Sequence, residues 1–239
     1  MKNPERSYQY FDRVMALFVT VLIVSNIASS AKIVDWGVSL LGVRLSFDAG
    51  TLLFPISYIF GDVLTEVYGY QRSRRVIWTG FACLALSALV FWIVQRLPGE
   101  GNWQAYAGDH AYQVILGGMS SGGIVLASLT AYWAGEFSNS VILAKMKVWT
   151  EGRWLWTRTI GSTLVGEGVD TLIFLLVATL AGVFPWEIFV SLAVTNYVFK
   201  VAIEALMTPV TYRVVSTLKK AENEDFYDTH TDFNPFRVT

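Results

Sequence analysis

The chain has 239 residues, 54% of them hydrophobic and 15% charged, with a formal net charge of −1. Soluble domains carry roughly 25% charged residues, so this composition excludes an ordinary water-soluble fold and points to a membrane protein. A single cysteine, Cys83 in an apolar run, excludes a disulfide framework or a thiolate metal cage within one chain.

A membrane-spanning helix needs roughly 20 mostly apolar residues, rising about 1.5 Å each through a core about 30 Å thick. Six segments qualify, at about 12–32, 45–69, 75–96, 122–145, 159–181 and 187–214. The first ends in small residues ("NIASSA") that also fit a signal-peptide cleavage site. Its length, and the even number of spans it completes, favour a span. Between spans three and four, "WQAYAGDHAYQVIL" (103–116) reads as a short external helix or a re-entrant segment, broken from span four by "GGMSSGG". The expected architecture is all-α: a polytopic membrane protein with six transmembrane helices. It comprises one transmembrane domain over 1–220 and a polar, mobile cytoplasmic tail over 221–239.

Lys and Arg placement orients the spans. With both termini cytoplasmic, the inner segments hold fourteen basic residues, including Arg72, Arg74, Arg75, Lys145, Lys147, Arg153 and Arg158. The outer segments hold only Lys32, Arg44 and Arg96, and Lys200 lies inside a span. This asymmetry is the positive-inside pattern.

Ionisable residues within spans cost about 2.5–3.5 kcal/mol each at a helix centre, yet several are present. Asp62 stands about 15 Å inward from Arg72 at helical rise, Glu136 about 13 Å from Lys145, Glu167 about 13 Å from Arg158, and Lys200 about 20 Å from Arg213. Four spans thus carry a charge at one middle depth, which points to a single polar site between helices. Asp62/Glu66 and Lys200/Glu204 are spaced i,i+4, and Glu136/Asn139 and Glu167/Asp170 i,i+3, so each pair shares a helix face. Pro55, Gly61, Gly135, Gly166 and Gly168 accompany them and allow close helix approach or a local break.

Competing structural roles exist. Glu66, a turn from the basic loop, would pair with Arg72 or snorkel. Asp48 would cap a helix. Lys200 and Glu204 would pair along their own helix. Asn26 and Asn196 would tie helices together. Phe54 and Tyr58 continue the Asp62–Glu66 stripe and would either stack on a flat ring or pack as core. Six tryptophans, Trp36 and Trp149 among them, fall at the predicted interfaces.

The sequence contains no P-loop, no metal-ligand pair and no Ser/His/Asp or Cys/His set. ATP hydrolysis by this chain, a metal or other cofactor, and enzyme chemistry are therefore not expected. A polar midplane site suits a small-solute transporter. Spans two and five each carry a Gly-flanked acid pair ("GDVLTE", "GEGVDT"), as an inverted 3+3 repeat would.

The runs "FPISYIFGDVLTEVYGYQRSRRVIW", "EFSNSVILAKMK" and "TRTIGSTLVGEGVDTLIF" resemble the queuosine precursor transporter family, a bacterial group related to vitamin-uptake membrane proteins. The resemblance extends over about 11–212. It implies a multi-pass inner-membrane importer of 7-cyano-7-deazaguanine, with the 7-aminomethyl form a second candidate; these are precursors of a modified tRNA base. A deazaguanine edge offers ring and amine N–H donors that one carboxylate can accept together. The substrate-binding candidates are Asp62, Glu136, Glu167, Asn139, Asp170, Phe54, Tyr58, Glu66 and Lys200. The expected partners are the 7-deazaguanine base and the lipid bilayer, with no nucleic acid. A homo-oligomer is left open by the small-residue face Ala127, Ala131, Gly135. The leading mechanism is secondary or facilitated transport by alternating access. The alternatives are the substrate-binding subunit of an ATP-driven uptake complex, an intramembrane enzyme, or an assembly protein, which the buried acids disfavour.

Overall fold

Phe11–Ala31 forms the first helix, α1, from an unbroken apolar run. In the computed structural model, which describes residues 7–40, 43–183 and 185–237, it is followed by two strands, Ile33–Leu40 (β1) and Val43–Asp48 (β2). They pair antiparallel, from Ile33 opposite Asp48 to Leu40 opposite Val43, with an irregularity between Asp35 and Ser39. The rest of the described chain is helical, so the all-α class holds in its coarse form and this hairpin is an addition to it: "IVDWGVSL" and "VRLSFD" are rich in β-branched and aromatic residues, which fit a pleated surface. The hairpin also takes the first residues expected for span two. After a 3-10 turn over Ala49–Leu52, the helix there, α2, runs only from Phe54 to Tyr68, about 22 Å. Pro55 falls in its first turn, where a missing N–H costs nothing.

Gly69, at φ +83°, divides α2 from α3 (Tyr70–Val94); a left-handed position of this kind favours glycine. The segment expected to be a short external or re-entrant piece forms two helices, α4 (Gly101–Tyr106) and α5 (Gly108–Ser120). Ser121, in extended conformation, separates α5 from α6 (Gly122–Trp149) within the predicted Gly/Ser break. Then come α7 (Leu155–Leu180), a 3-10 turn at Trp186–Ile188, and α8 (Phe189–Glu222), which contains Pro209.

Among the described residues, four helical stretches are long and apolar enough to cross a membrane: Phe11–Ala31, Tyr70–Val94, Gly108–Trp149 and Leu155–Leu180. The radial distribution of polarity is inverted relative to a soluble protein. Leu86, Leu89, Leu172, Leu176 and Val194 face outward, while Glu66, Arg158, Lys147 and Glu204 are at most 1% exposed. Apolar side chains outside and charges inside suit a bilayer as solvent.

The most extensive helix contact is between α6 and α7. Gly135 and Gly166 make it. A Cβ on Gly135 would stand 2.8 Å from Asp170 Cβ, and one on Gly166 would stand 2.7 Å from Asn139 Cβ. The backbones touch because neither residue has a side chain, and this brings the polar faces of α6 and α7 to one level.

The tail is not the mobile segment expected from its polarity. Asp228 accepts from Tyr70 N at 3.1 and 3.2 Å, Arg74 donates to the carbonyls of Asp232 and Asn234, and Trp78 Nε1 donates to Pro235 O at 2.8 Å. The Phe226 ring covers Gly69. The other chain end arrives at the same place: Gln9 N and Tyr10 N donate to the Glu222 carboxylate at 3.0 and 2.7 Å, and Tyr68 Oη donates to it at 3.0 Å. Polar tail atoms thus satisfy buried donors at the helix ends, which outweighs the ordering cost.

Candidate solute-binding cavity

A cavity of about 730 Å³ lies between the helices, reached by side chains from α1, α2, α3, α5, α6, α7 and α8. Ligand pockets span about 300–1,000 Å³, so a fused bicyclic base fits within it. One end is marked by Asn26, Ser29 and Ser30 at the end of α1; the other by Gly61, Asn139 and Thr163.

The i,i+3 pairs of α6 and α7 meet here as their spacing predicts. Glu136, Asn139, Glu167 and Asp170 all line the cavity, as does Lys200 from α8. Lys200 Nζ sits 2.8 Å from Glu167 Oε2 and 2.5 Å from Asp170 Oδ2. Glu136 Oε2 lies across from Gly61, 3.3 Å from where a Cβ there would stand. Three carboxyl groups therefore face one ammonium, and among the described residues Glu136 is the one of the three with no ion pair. Such an arrangement accepts N–H donors well, because a carboxylate in a low dielectric binds them more strongly than in water.

The remaining candidates fall elsewhere. Asp62 is 1% exposed and lies behind the lining, accepting from Asn139 Nδ2 at 3.1 Å. Glu66 is also away from the cavity. It does not pair with Arg72, whose guanidinium donates to Tyr68 O instead. Its carboxylate takes a two-pronged contact from Arg158 at 2.7 and 2.8 Å, and a further one from Lys219. The expected Lys200/Glu204 pair is likewise replaced: Lys200 reaches across to α7, because two acids there outcompete one on its own helix. The side chains of Phe54, Tyr58 and Asp48 lie outside the described ones.

Three aromatic lining residues were not singled out as site residues: Tyr132, Phe174 and Phe199. Phe174 follows Asp170 by four residues and Phe199 precedes Lys200, so helical spacing from the acids could have found the first. Asn196, read as helix glue, lines the cavity too.

Outside the apolar stretches, the cluster where the tail meets α6 and α8 is electrostatically tight. Burial works against the Asp225 carboxylate, but hydrogen bonds from Lys147 and Lys219 hold it below the usual aspartate value. Burial pushes the Asp228 carboxyl up, against hydrogen bonds from Thr231 and Tyr70 N.

A family model described as "Putative vitamin uptake transporter" matches residues 48–214. The chain belongs to this vitamin uptake transporter family. Two curated relatives of this family member are transporters by name. One, from Bacillus subtilis (strain 168), is named a probable queuosine precursor transporter and is 27% identical over 170 residues, covering 70% of this chain and 71% of its own. The other, from Escherichia coli (strain K12), is named a queuosine precursor transporter and is 27% identical over 179 residues, covering 74% and 75%. No solved structure matches the chain. The matched region contains every cavity-lining acid, so the family resemblance and the cavity fall on the same part of the molecule.

Proposed function

We propose that this protein imports queuosine precursors across a bacterial inner membrane, with 7-cyano-7-deazaguanine bound in the cavity between α6, α7 and α8. The observation that carries the reading is the acid-lined, partly aromatic cavity at the middle of an apolar helix bundle, in a chain whose relatives carry that transporter name. Glu136 accepts the N–H edge of the base, Phe174 and Phe199 flank its plane, and Asn139, Glu167, Asp170 and Lys200 complete the polar wall.

The chain crosses the membrane six times with both ends cytoplasmic, α2 and α8 supplying the two crossings beyond the four apolar stretches. The basic-residue asymmetry and the meeting of residues 9 and 10 with Glu222 support this. The acid pairs of α2 and α7 stand in equivalent places of an inverted 3+3 arrangement, and alternating access moves one half against the other.

The test is uptake of labelled 7-cyano-7-deazaguanine into cells that cannot make it and that lack an energising ATPase complex for vitamin uptake. Accumulation above the empty-vector level is expected. No accumulation at verified membrane expression would contradict autonomous import.

A further inference from the structure

Helices α2 and α8 meet at a contact that the cavity lining does not include. Asp62 of α2, 1% exposed, and Glu204 of α8, 0% exposed, face each other there, carboxyl to carboxyl. Among the described residues, the one hydrogen-bond donor to either side chain is Asn139 Nδ2, on Asp62 Oδ1. Taken as two carboxylates, the pair leaves Asp62 Oδ2 and both Glu204 side-chain oxygens buried with no hydrogen-bond partner.

No cation among the described residues pairs with either acid. Lys200, one turn before Glu204, is turned to Glu167 and Asp170. The hydroxyl of Thr208 donates to the backbone carbonyl of Glu204, not to its carboxylate. The other charged groups acting on the pair are acids: Glu136 from α6, Glu167 from α7 and Glu66 one turn along α2, the last already matched by Arg158 and Lys219. Helices α1 and α3 also pack on α2 but add no charge to those acting on Asp62 among the described residues. Two like charges in contact within a low dielectric cannot both be ionised. One proton resolves the arrangement, since a carboxylic O–H on one partner is the donor the other lacks.

We propose that Asp62 and Glu204 form a proton-binding site that shares one proton, and that Asn139 links it to the solute cavity. Asn139 lines the cavity while donating to Asp62, so a solute that engages this amide alters the hydrogen bonding of the proton site. The linkage to solute movement rests on the import reading above; the shared proton does not.

The proton is read by infrared spectroscopy of the purified full chain in lipid nanodiscs, in sodium-free choline buffer at neutral pH. Wild type shows the carbonyl band of a protonated carboxylic acid, and Asp62→Asn and Glu204→Gln each remove the same component of it. The exchanged pair, Asp62→Glu with Glu204→Asp, restores that component. Absence of any such band in wild type overturns the site without recourse to a variant. So does survival of the full band in both single variants, or its loss when sodium chloride replaces choline chloride, which would make the pair a sodium site.

Coupling is read in proteoliposomes. A pH gradient, acid outside, drives about tenfold accumulation of labelled 7-cyano-7-deazaguanine per pH unit for one proton per solute. Glu204→Gln loses this gradient dependence. Equal gradient-driven accumulation in Glu204→Gln overturns the coupling. Failure of wild type to take up the base at all overturns the import reading and leaves the infrared result standing.

Discussion

Arg158 Nε and Nη2 meet the two carboxylate oxygens of Glu66 at 2.7 and 2.8 Å, with both side chains out of contact with solvent. This fork joins α7 to α2, which lie 92 residues apart in sequence. Lys219 of α8 binds the same carboxylate, and Lys147 of α6 donates to the Glu66 backbone carbonyl at 2.6 Å. Asp225 of the tail then bridges Lys147 and Lys219. Four helices and the tail are thus fastened at one end of the bundle, about a turn beyond Asp62.

Removing one partner of such a network strands the others. Glu66→Gln leaves Arg158 and Lys219 buried against a neutral amide, so it should cost about 3–5 kcal/mol of stability. Arg158→Gln should cost less, since two lysines still attend Glu66. Thermal unfolding in detergent, followed by loss of monodisperse protein, ranks the two variants; the reverse order would contradict the central place given to Glu66.

Gly135→Ala and Gly166→Ala test how the cavity wall is built. Each added methyl would sit under 3.0 Å from a Cβ on the facing helix, so α6 and α7 must part. A destabilisation of about 1–3 kcal/mol follows from such overpacking, with a loss of solute uptake as Asn139 and Asp170 shift. Gly122→Ala, which meets nothing within 4 Å, serves as the comparison and should behave as wild type.

The tail clamp has a defined pH window. The folded-state value of Asp225 is depressed below the ordinary 3.8, so its contribution is fully present above 3.8 and is lost as pH falls through the depressed value. Amide hydrogen exchange of residues 223–235 should therefore stay slow from neutral pH down to about 4 and accelerate below it. Asp225→Asn should show the fast tail exchange already at neutral pH.

The polar faces of α6 and α7 were legible because i,i+3 spacing is a local property: Glu136 with Asn139 and Glu167 with Asp170 had to share faces, and basic loops fixed their depth. All four line one cavity. Partner choice was not legible. Arg72 is nearer to Glu66 in sequence than Arg158 is, but only the packing of α7 on α2 decides between them. Lys200 chose the acids of α7 over Glu204 for the same tertiary reason. The strands β1 and β2 replaced an expected loop and helix start because a segment rich in β-branched residues can satisfy its own backbone by pairing. The tail was misread from polarity alone, since its acids and carbonyls serve buried donors on α3 and α6. Phe174 shares a helix face with Asp170 by its i,i+4 spacing, whereas Phe199 is indistinguishable in sequence from a lipid-facing phenylalanine.

Equilibrium binding of labelled 7-cyano-7-deazaguanine to the purified protein tests the central claim, that the α6–α7–α8 cavity holds the base. Glu136→Gln replaces an acceptor of two N–H groups by an amide, and loss of a charged hydrogen bond is worth about 1.5–3 kcal/mol. The account predicts Kd raised at least about tenfold in this variant, with Phe174→Ala and Phe199→Ala also weakened. Wild-type Kd in Glu136→Gln, Glu167→Gln and Asp170→Asn alike, in protein that remains folded, would contradict it.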